Sequence, residues 1–175
     1  MSPVNNKGWQ FIILCQAVLW LPLQALAEQY DYEPDPVEHS LVEEASDLAA
    51  LAEQAAEDGL VVMLMMSTDW CEYCEALEQQ VLGPMLINGD FEGRALLRKV
   101  MVDDIGSIRN FEGERIETAT FAVRQQVNLY PTLLFFDARG GDLVARIVGI
   151  NVLEFAAERI SRTLDAVRQR LQQIS

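Results

Sequence analysis

Positive charge is what this sequence has least of. Against 27 aspartates and glutamates stand 13 lysines and arginines and a single histidine, His39, for a formal net charge of −14. A nucleic-acid or anionic-membrane partner needs a basic face, so no nucleic acid is expected to bind. The acidic excess is read as a solubilising surface. Histidine is nearly absent and cysteine is scarce, with only Cys15, Cys71 and Cys74 in 175 residues. A structural zinc site needs about four ligands and is therefore poorly supplied, so no metal site and no cofactor are assigned.

A long uninterrupted apolar run is also missing. The most apolar stretch, Phe11 to Leu23, is broken by Gln16 and Pro22. It falls short of the roughly 20 residues that cross a bilayer. Lys7 precedes it and Ala25-Leu26-Ala27 follows, the small-x-small pattern of a signal-peptidase site. Residues 1–27 are therefore expected to be a signal peptide, placing the mature chain in the periplasm or otherwise outside the cytoplasm. The alternative is a membrane anchor over residues 8–24. Cleavage would remove Cys15 and Lys7, leaving Cys71 and Cys74 in a compartment where disulfides persist.

What is present suffices for one folded domain, since half of the residues are apolar. Residues 28–44 are acidic and contain Pro34 and Pro36, which suggests a flexible lead-in before a domain over 45–175. Leu48, Leu51, Ala52 and Ala55 recur at helical spacing after Ser46, a candidate N-cap, and before Gly59, predicting a helix over 46–58. Leu60 to Met66 reads as a strand buried on both faces, with Met63, Met65 and Met66 in the core. Residues 71–82 read as a helix that Pro84 breaks or kinks.

A second strand is expected over 96–102, a loop or small hairpin over 104–116, and a helix over 117–127. Leu133 to Asp137 and Leu143 to Val148 are separated by a connector containing Ala138-Arg139-Gly140-Gly141, short enough for an antiparallel hairpin. A last helix over 152–173 would turn Leu153, Ala156, Ile160, Leu164, Val167 and Leu171 inward.

Cys71-Glu72-Tyr73-Cys74 follows the first strand and opens a helix. The unpaired N–H groups and positive dipole end at that position stabilise a thiolate, and Cys71 is best placed to benefit. Two intervening residues let Cys74 attack a mixed disulfide formed by Cys71. Cys71 is thus the candidate nucleophile and Cys74 the candidate resolving thiol. A purely structural disulfide and a copper- or haem-handling thiol pair remain open at this point. Against the first, so small a ring restrains little of the unfolded chain. Against the second, no His-rich or Met-rich ligand motif accompanies the thiolates.

Trp70-Cys71-Glu72-Tyr73-Cys74 after a hydrophobic strand, Tyr130-Pro131-Thr132 before the next, and Gly149 after the last resemble the thioredoxin superfamily over residues 45–173. The resemblance implies an α/β thioredoxin fold: a mixed sheet of about four strands flanked by helices, here with an extra N-terminal helix. It further implies that Pro131 is the family's cis-proline, that Cys71 and Cys74 form a redox-active disulfide, and that Trp70, Tyr73, Tyr130 and Pro131 contact substrate. The longer segment around Phe111-Glu112-Gly113-Glu114 resembles the periplasmic SoxW-like branch.

Two departures bear on chemistry. The family's buried acid six residues before the first cysteine is replaced by Met65, so the usual proton acceptor is missing; Asp69, Glu72 and Glu75 are candidate substitutes. The same three acids place negative charge near Cys71, and no Lys, Arg or His lies between Leu60 and Gly93. Like charge disfavours a thiolate, so a reducing protein is expected. It would reduce protein or small-molecule disulfides and be recharged by a membrane electron donor, as in systems the resemblance points to. A dithiol oxidase or isomerase and a non-catalytic binding module are the alternatives. No dimerisation segment is evident before residue 46, so a monomer is expected.

Overall fold

A computed structural model describes residues 40–103, 105–139, 141–150 and 152–174. The signal-peptide reading of 1–27, the lead-in up to His39 and Cys15 lie outside them. The first element is helix α1, Leu48–Glu57. Its N-cap is Asp47 rather than Ser46: the Asp47 carboxylate accepts the N–H of Ala50 at 3.0 Å, and α1 buries Leu48, Leu51, Ala52 and Ala55. Both residues can cap, and the aspartate has a second partner, Arg109 at 3.3 Å, that holds it in place.

Strand β1, Val61–Ser67, is buried at every position. Strand side chains alternate between faces, so a strand covered on both sides has no polar side. Val61, Met63 and Met65 enter one core with Cys74, Leu77, Leu82, Ile160 and Leu164. Val62, Leu64 and Met66 enter the other with Leu48, Leu51, Ile108 and Phe121. Each such side chain removed from water contributes roughly 2–3 kcal/mol, which makes β1 the spine of the fold.

Helix α2, Glu72–Leu77, passes through a widened π-turn at Glu78–Leu82 into α3, Gly83–Ile87. Pro84 therefore does not break the helical run. It sits in the first turn of α3, where a missing N–H is tolerated. The run ends at Asn88, and Gly89 takes a positive φ of 76° to leave it.

Strand β2, Ala95–Met101, pairs parallel to β1, with Met65 beside Lys99. The region expected as a loop or hairpin is a short hairpin, β3 (Ser107–Arg109) and β4 (Arg115–Glu117), followed by α4, Thr118–Arg124. Strand β5, Thr132–Asp137, runs antiparallel to β1, and β6, Leu143–Val148, antiparallel to β5. The sheet order is β2-β1-β5-β6.

A single 3₁₀ turn, Leu153–Phe155, leads into α5, Ala156–Ile174. Ala156, Ile160, Leu164 and Val167 of its inward stripe are buried, while Leu153 and Leu171 pack at the margin. A four-stranded mixed sheet flanked by helices on both faces, with α1 ahead of the first strand, is the expected fold.

Packing begins earlier than residue 45. Val42 is 1% exposed. Lys99 N–H donates to the Glu43 carbonyl at 2.8 Å and Ala45 N–H to the Lys99 carbonyl at 2.7 Å, so residues 43–45 run parallel along the outer edge of β2. The end of the stretch read as a flexible lead-in is thus part of the folded unit.

Candidate active site

The C-terminal ends of β1 and β2 and the start of β5 meet at one end of the sheet. After Ser67 the chain turns through Trp70, which holds a positive φ of 60°, an uncommon conformation for a bulky residue. That turn delivers Cys71 as the N-cap of α2, where its sulfur accepts the N–H of Cys74 at 3.2 Å. The two sulfurs are joined as a disulfide, with Cα atoms 5.2 Å apart.

The cysteines are not equivalent. Cys74 is 2% exposed and faces the core with Met65 and Leu77, whereas Cys71 is half-buried and packs only at the margin of that core. An incoming sulfur can approach Cys71. The N–H that Cys71 accepts also opposes the neighbouring negative charge, because hydrogen bonding to a thiolate favours the ionised form.

Trp70 is 97% exposed and Tyr73 62% exposed, so both present aromatic surface to solvent beside the disulfide. Pro131 is buried at the start of β5, and the Tyr130–Pro131 peptide is cis. Its loop is held from two sides: the Thr132 hydroxyl donates to the Leu129 carbonyl at 2.7 Å, and Gly149 N–H donates to the Pro131 carbonyl at 3.1 Å. Tyr130 packs against both cores. Burial pushes its phenol above the ordinary value of 10.0, so the ring stays uncharged at neutral pH.

Asp69, Glu72 and Glu75 are exposed. Sequence reasoning passed over Glu78, which lies one helical turn beyond Cys74 and donates its N–H to the Cys74 carbonyl. Its carboxylate meets Lys99 Nζ at 3.1 Å, and both side chains are only 11% exposed. Lys99 also donates to Ser40 Oγ at 3.1 Å. Lys99 neighbours Met65 across the β1–β2 ladder, so the pair lies on the same face of the sheet as Cys74. The signal was available in the spacing, since residues 74 and 78 share a helix face.

Among the described residues, no group of three His, Cys, Asp or Glu side chains is disposed to hold a metal ion, and no helix is long and apolar enough to cross a membrane.

The thioredoxin-like domain family model matches residues 48–167. A thiol:disulfide interchange protein DsbD from Yersinia enterocolitica is 27% identical over 156 residues, covering 85% of this chain and 25% of its own length. The protein of the same name from Yersinia pestis is 26% identical over 158 residues, covering 85% and 24%. The chain thus spans about a quarter of the length of these curated relatives. Among solved structures, a mutant thioredoxin from Halobacterium salinarum aligns at 21% identity and a TM-score of 0.48, covering 73% of this chain and 89% of that one. Fasciola hepatica thioredoxin aligns at 17% and 0.48, covering 71% and 98%.

Proposed function

The chain belongs to the thioredoxin-like domain family, and from that premise we propose that it is an exported thiol:disulfide oxidoreductase working in the reducing direction through Cys71 and Cys74. The observation that carries this reading is the asymmetry of the pair. One sulfur is approachable and accepts an N–H at a helix start, and its partner is buried directly behind it.

In the forward half-reaction the Cys71 thiolate attacks one sulfur of a substrate disulfide. A Cys71–substrate disulfide forms and the first substrate thiolate leaves. Cys74 loses its proton and attacks the Cys71 sulfur, closing the intramolecular disulfide and releasing the second substrate thiolate. Two electrons pass from the dithiol to the substrate. Trp70, Tyr73, Tyr130 and Pro131 are the proposed substrate contacts.

The proton of Cys74 needs an acceptor, and Met65 offers none. Glu78 is the buried carboxylate next along the helix, and we assign it that role in preference to the solvent-facing Asp69, Glu72 and Glu75. Its carboxylate is held in place by Lys99 Nζ at 3.1 Å.

The direction follows from charge. Asp69, Glu72 and Glu75 destabilise a thiolate at Cys71, and a weakly stabilised dithiol is a good reductant. A reductant outside the cytoplasm must be recharged, which implies a membrane electron donor. Export through a signal peptide at 1–27, a periplasmic location, a single domain from about residue 40 onward, and placement in the SoxW-like branch belong to the same reading. The interchange proteins named above are consistent with thiol-redox partners.

The test is the equilibrium potential of the Cys71–Cys74 couple against a dithiothreitol or glutathione series. A value at or below about −230 mV supports the reductase, and one near about −120 mV makes the protein an oxidase instead. The absence of a reversible couple refutes both and leaves a binding module.

A further inference from the structure

The ion pairs of the described residues are distributed unevenly. Arg94 pairs with Asp165, Arg98 with Glu43, Lys99 with Glu78, Arg109 with Asp47, Arg124 with Glu114, Arg139 with Asp137 and Arg162 with Glu158. Apart from the buried Glu78, the acids around the disulfide take no part. Asp69, Glu72, Glu75 and Glu154 have no ion-pair partner among the described residues, and all four are exposed.

The connections that form that end carry no cation at all. Residues 60–93, 100–108, 126–138 and 147–158 contain no lysine, arginine or histidine. Glu154 reaches the same rim by a different route. It sits in the 3₁₀ turn after β6 and lines a surface hollow with Gln80 and Val81 of the helical run that begins at the cysteines. Asp103, in the connection after β2, spends its carboxylate on the N–H groups of Ile105 and Gly106 in its own loop.

Apolar surface lies inside this rim. Trp70 and Tyr73 are exposed on the disulfide side, and Leu129, which nearly touches Gly149, is half exposed on the cis-proline side. An uncovered aromatic and aliphatic patch bordered by uncompensated carboxylates fits one kind of surface. Its occupant has apolar contacts beside its own disulfide and positive charge around them.

Resting on the oxidoreductase reading, we propose that this end docks proteins whose disulfide lies in an apolar segment flanked by lysine or arginine, and that the acidic rim disfavours disulfides with acidic flanks. The rim acts mainly on encounter, because exposed charges steer association and weaken once salt screens them. The same carboxylates that make the dithiol reducing thereby select what it reduces.

The test uses the full chain, reduced and freed of reductant. It is mixed with two disulfide-bridged peptides that are identical except for lysine or glutamate flanks, and with neutral bis(2-hydroxyethyl) disulfide. Each rate is divided by that of the same disulfide with dithiothreitol, which removes the effect of the flanks on sulfur reactivity. At low ionic strength the cationic peptide should react at least about tenfold faster than the anionic one, and the ratio should fall towards one as salt rises to about 0.5 M.

Glu154→Lys, which leaves the residues next to the sulfurs unchanged, should lower the ratio. Equal normalised rates for both peptides, or a ratio indifferent to salt, overturn the docking inference while the oxidoreductase reading survives. Failure to react with any of the three disulfides, including the neutral one, overturns both.

Discussion

Glu78 and Lys99 hold each other at 3.1 Å, one helical turn beyond Cys74 and nearly closed off from water. A carboxylate and an ammonium so enclosed are costly to separate, because either one left alone keeps its desolvation penalty without its partner.

Removing one partner should therefore hurt more than removing both. Glu78→Met or Lys99→Met alone should lower unfolding free energy by about 2–4 kcal/mol, and the double variant should return to within about 1 kcal/mol of the parent, as read from urea midpoints. A chemical role predicts more. Glu78→Gln should slow decay of a preformed Cys71 mixed disulfide by about tenfold or more and shift its pH profile. Unchanged decay kinetics would make the pair structural only.

The two cysteines should fail in different ways. Cys71→Ser should abolish disulfide reduction. Cys74→Ser should keep the first attack and accumulate covalent adducts through Cys71, visible as a mass increase that dithiothreitol reverses. Adducts through Cys74 in the Cys71→Ser protein would reverse the division of labour drawn from burial.

Gly149 holds φ at +59°, and a Cβ placed there would come within 3.0 Å of a Leu129 side-chain carbon. Leu129 is half exposed and can swing aside. Backbone strain then dominates, and Gly149→Ala should cost about 1–2 kcal/mol. Since Gly149 N–H also anchors the Pro131 carbonyl, the variant should lower the rate with peptide disulfides more than that with small ones.

Asp47 gives a pH signature. The Ala50 N–H it accepts, reinforced by Arg109, lowers its carboxyl below the ordinary 3.8. A group depressed on folding contributes stability that is complete above its unfolded value and lost as pH falls through the folded one. Asp47→Asn keeps a capping oxygen but does not titrate. The parent should be the more stable above pH 4, and the difference between the two should vanish with further acidification in urea titrations.

The sheet and its flanking helices were legible because burial on two faces leaves strands uniformly apolar. Val61 to Met66 and Leu133 to Phe136 could hardly be anything else once turn signals bounded them. The cysteine pair was legible for a different reason, since a thiol pair opening a helix after such a strand has few other uses. The sequence was weaker where two residues could do the same local job. Ser46 and Asp47 both cap, and only the distant Arg109 chooses between them.

Pro84 was misleading as a helix breaker because an inserted π-turn ahead of it is invisible to residue preferences. Glu78 itself was marked by its spacing from Cys74, but its pairing with Lys99 joins a helix to a strand 21 residues away. No local pattern announces such a partner.

The strip of backbone at 43–45 alters where this domain can be said to start. The family match opens at residue 48, yet β2 is an outer strand, and its free side is occupied by Glu43 and Ala45. A protein trimmed to the matched segment would lose that cover, the buried Val42 and the Asp47 cap together. It would expose an open ladder of hydrogen-bonding groups, the feature by which sheets recruit one another into aggregates. Shortening the chain to residue 40 should leave a well-behaved monomer, while shortening it to 48 should yield one that self-associates. The few residues ahead of the first helix are therefore a guard on the sheet's border as much as a tether to whatever precedes them.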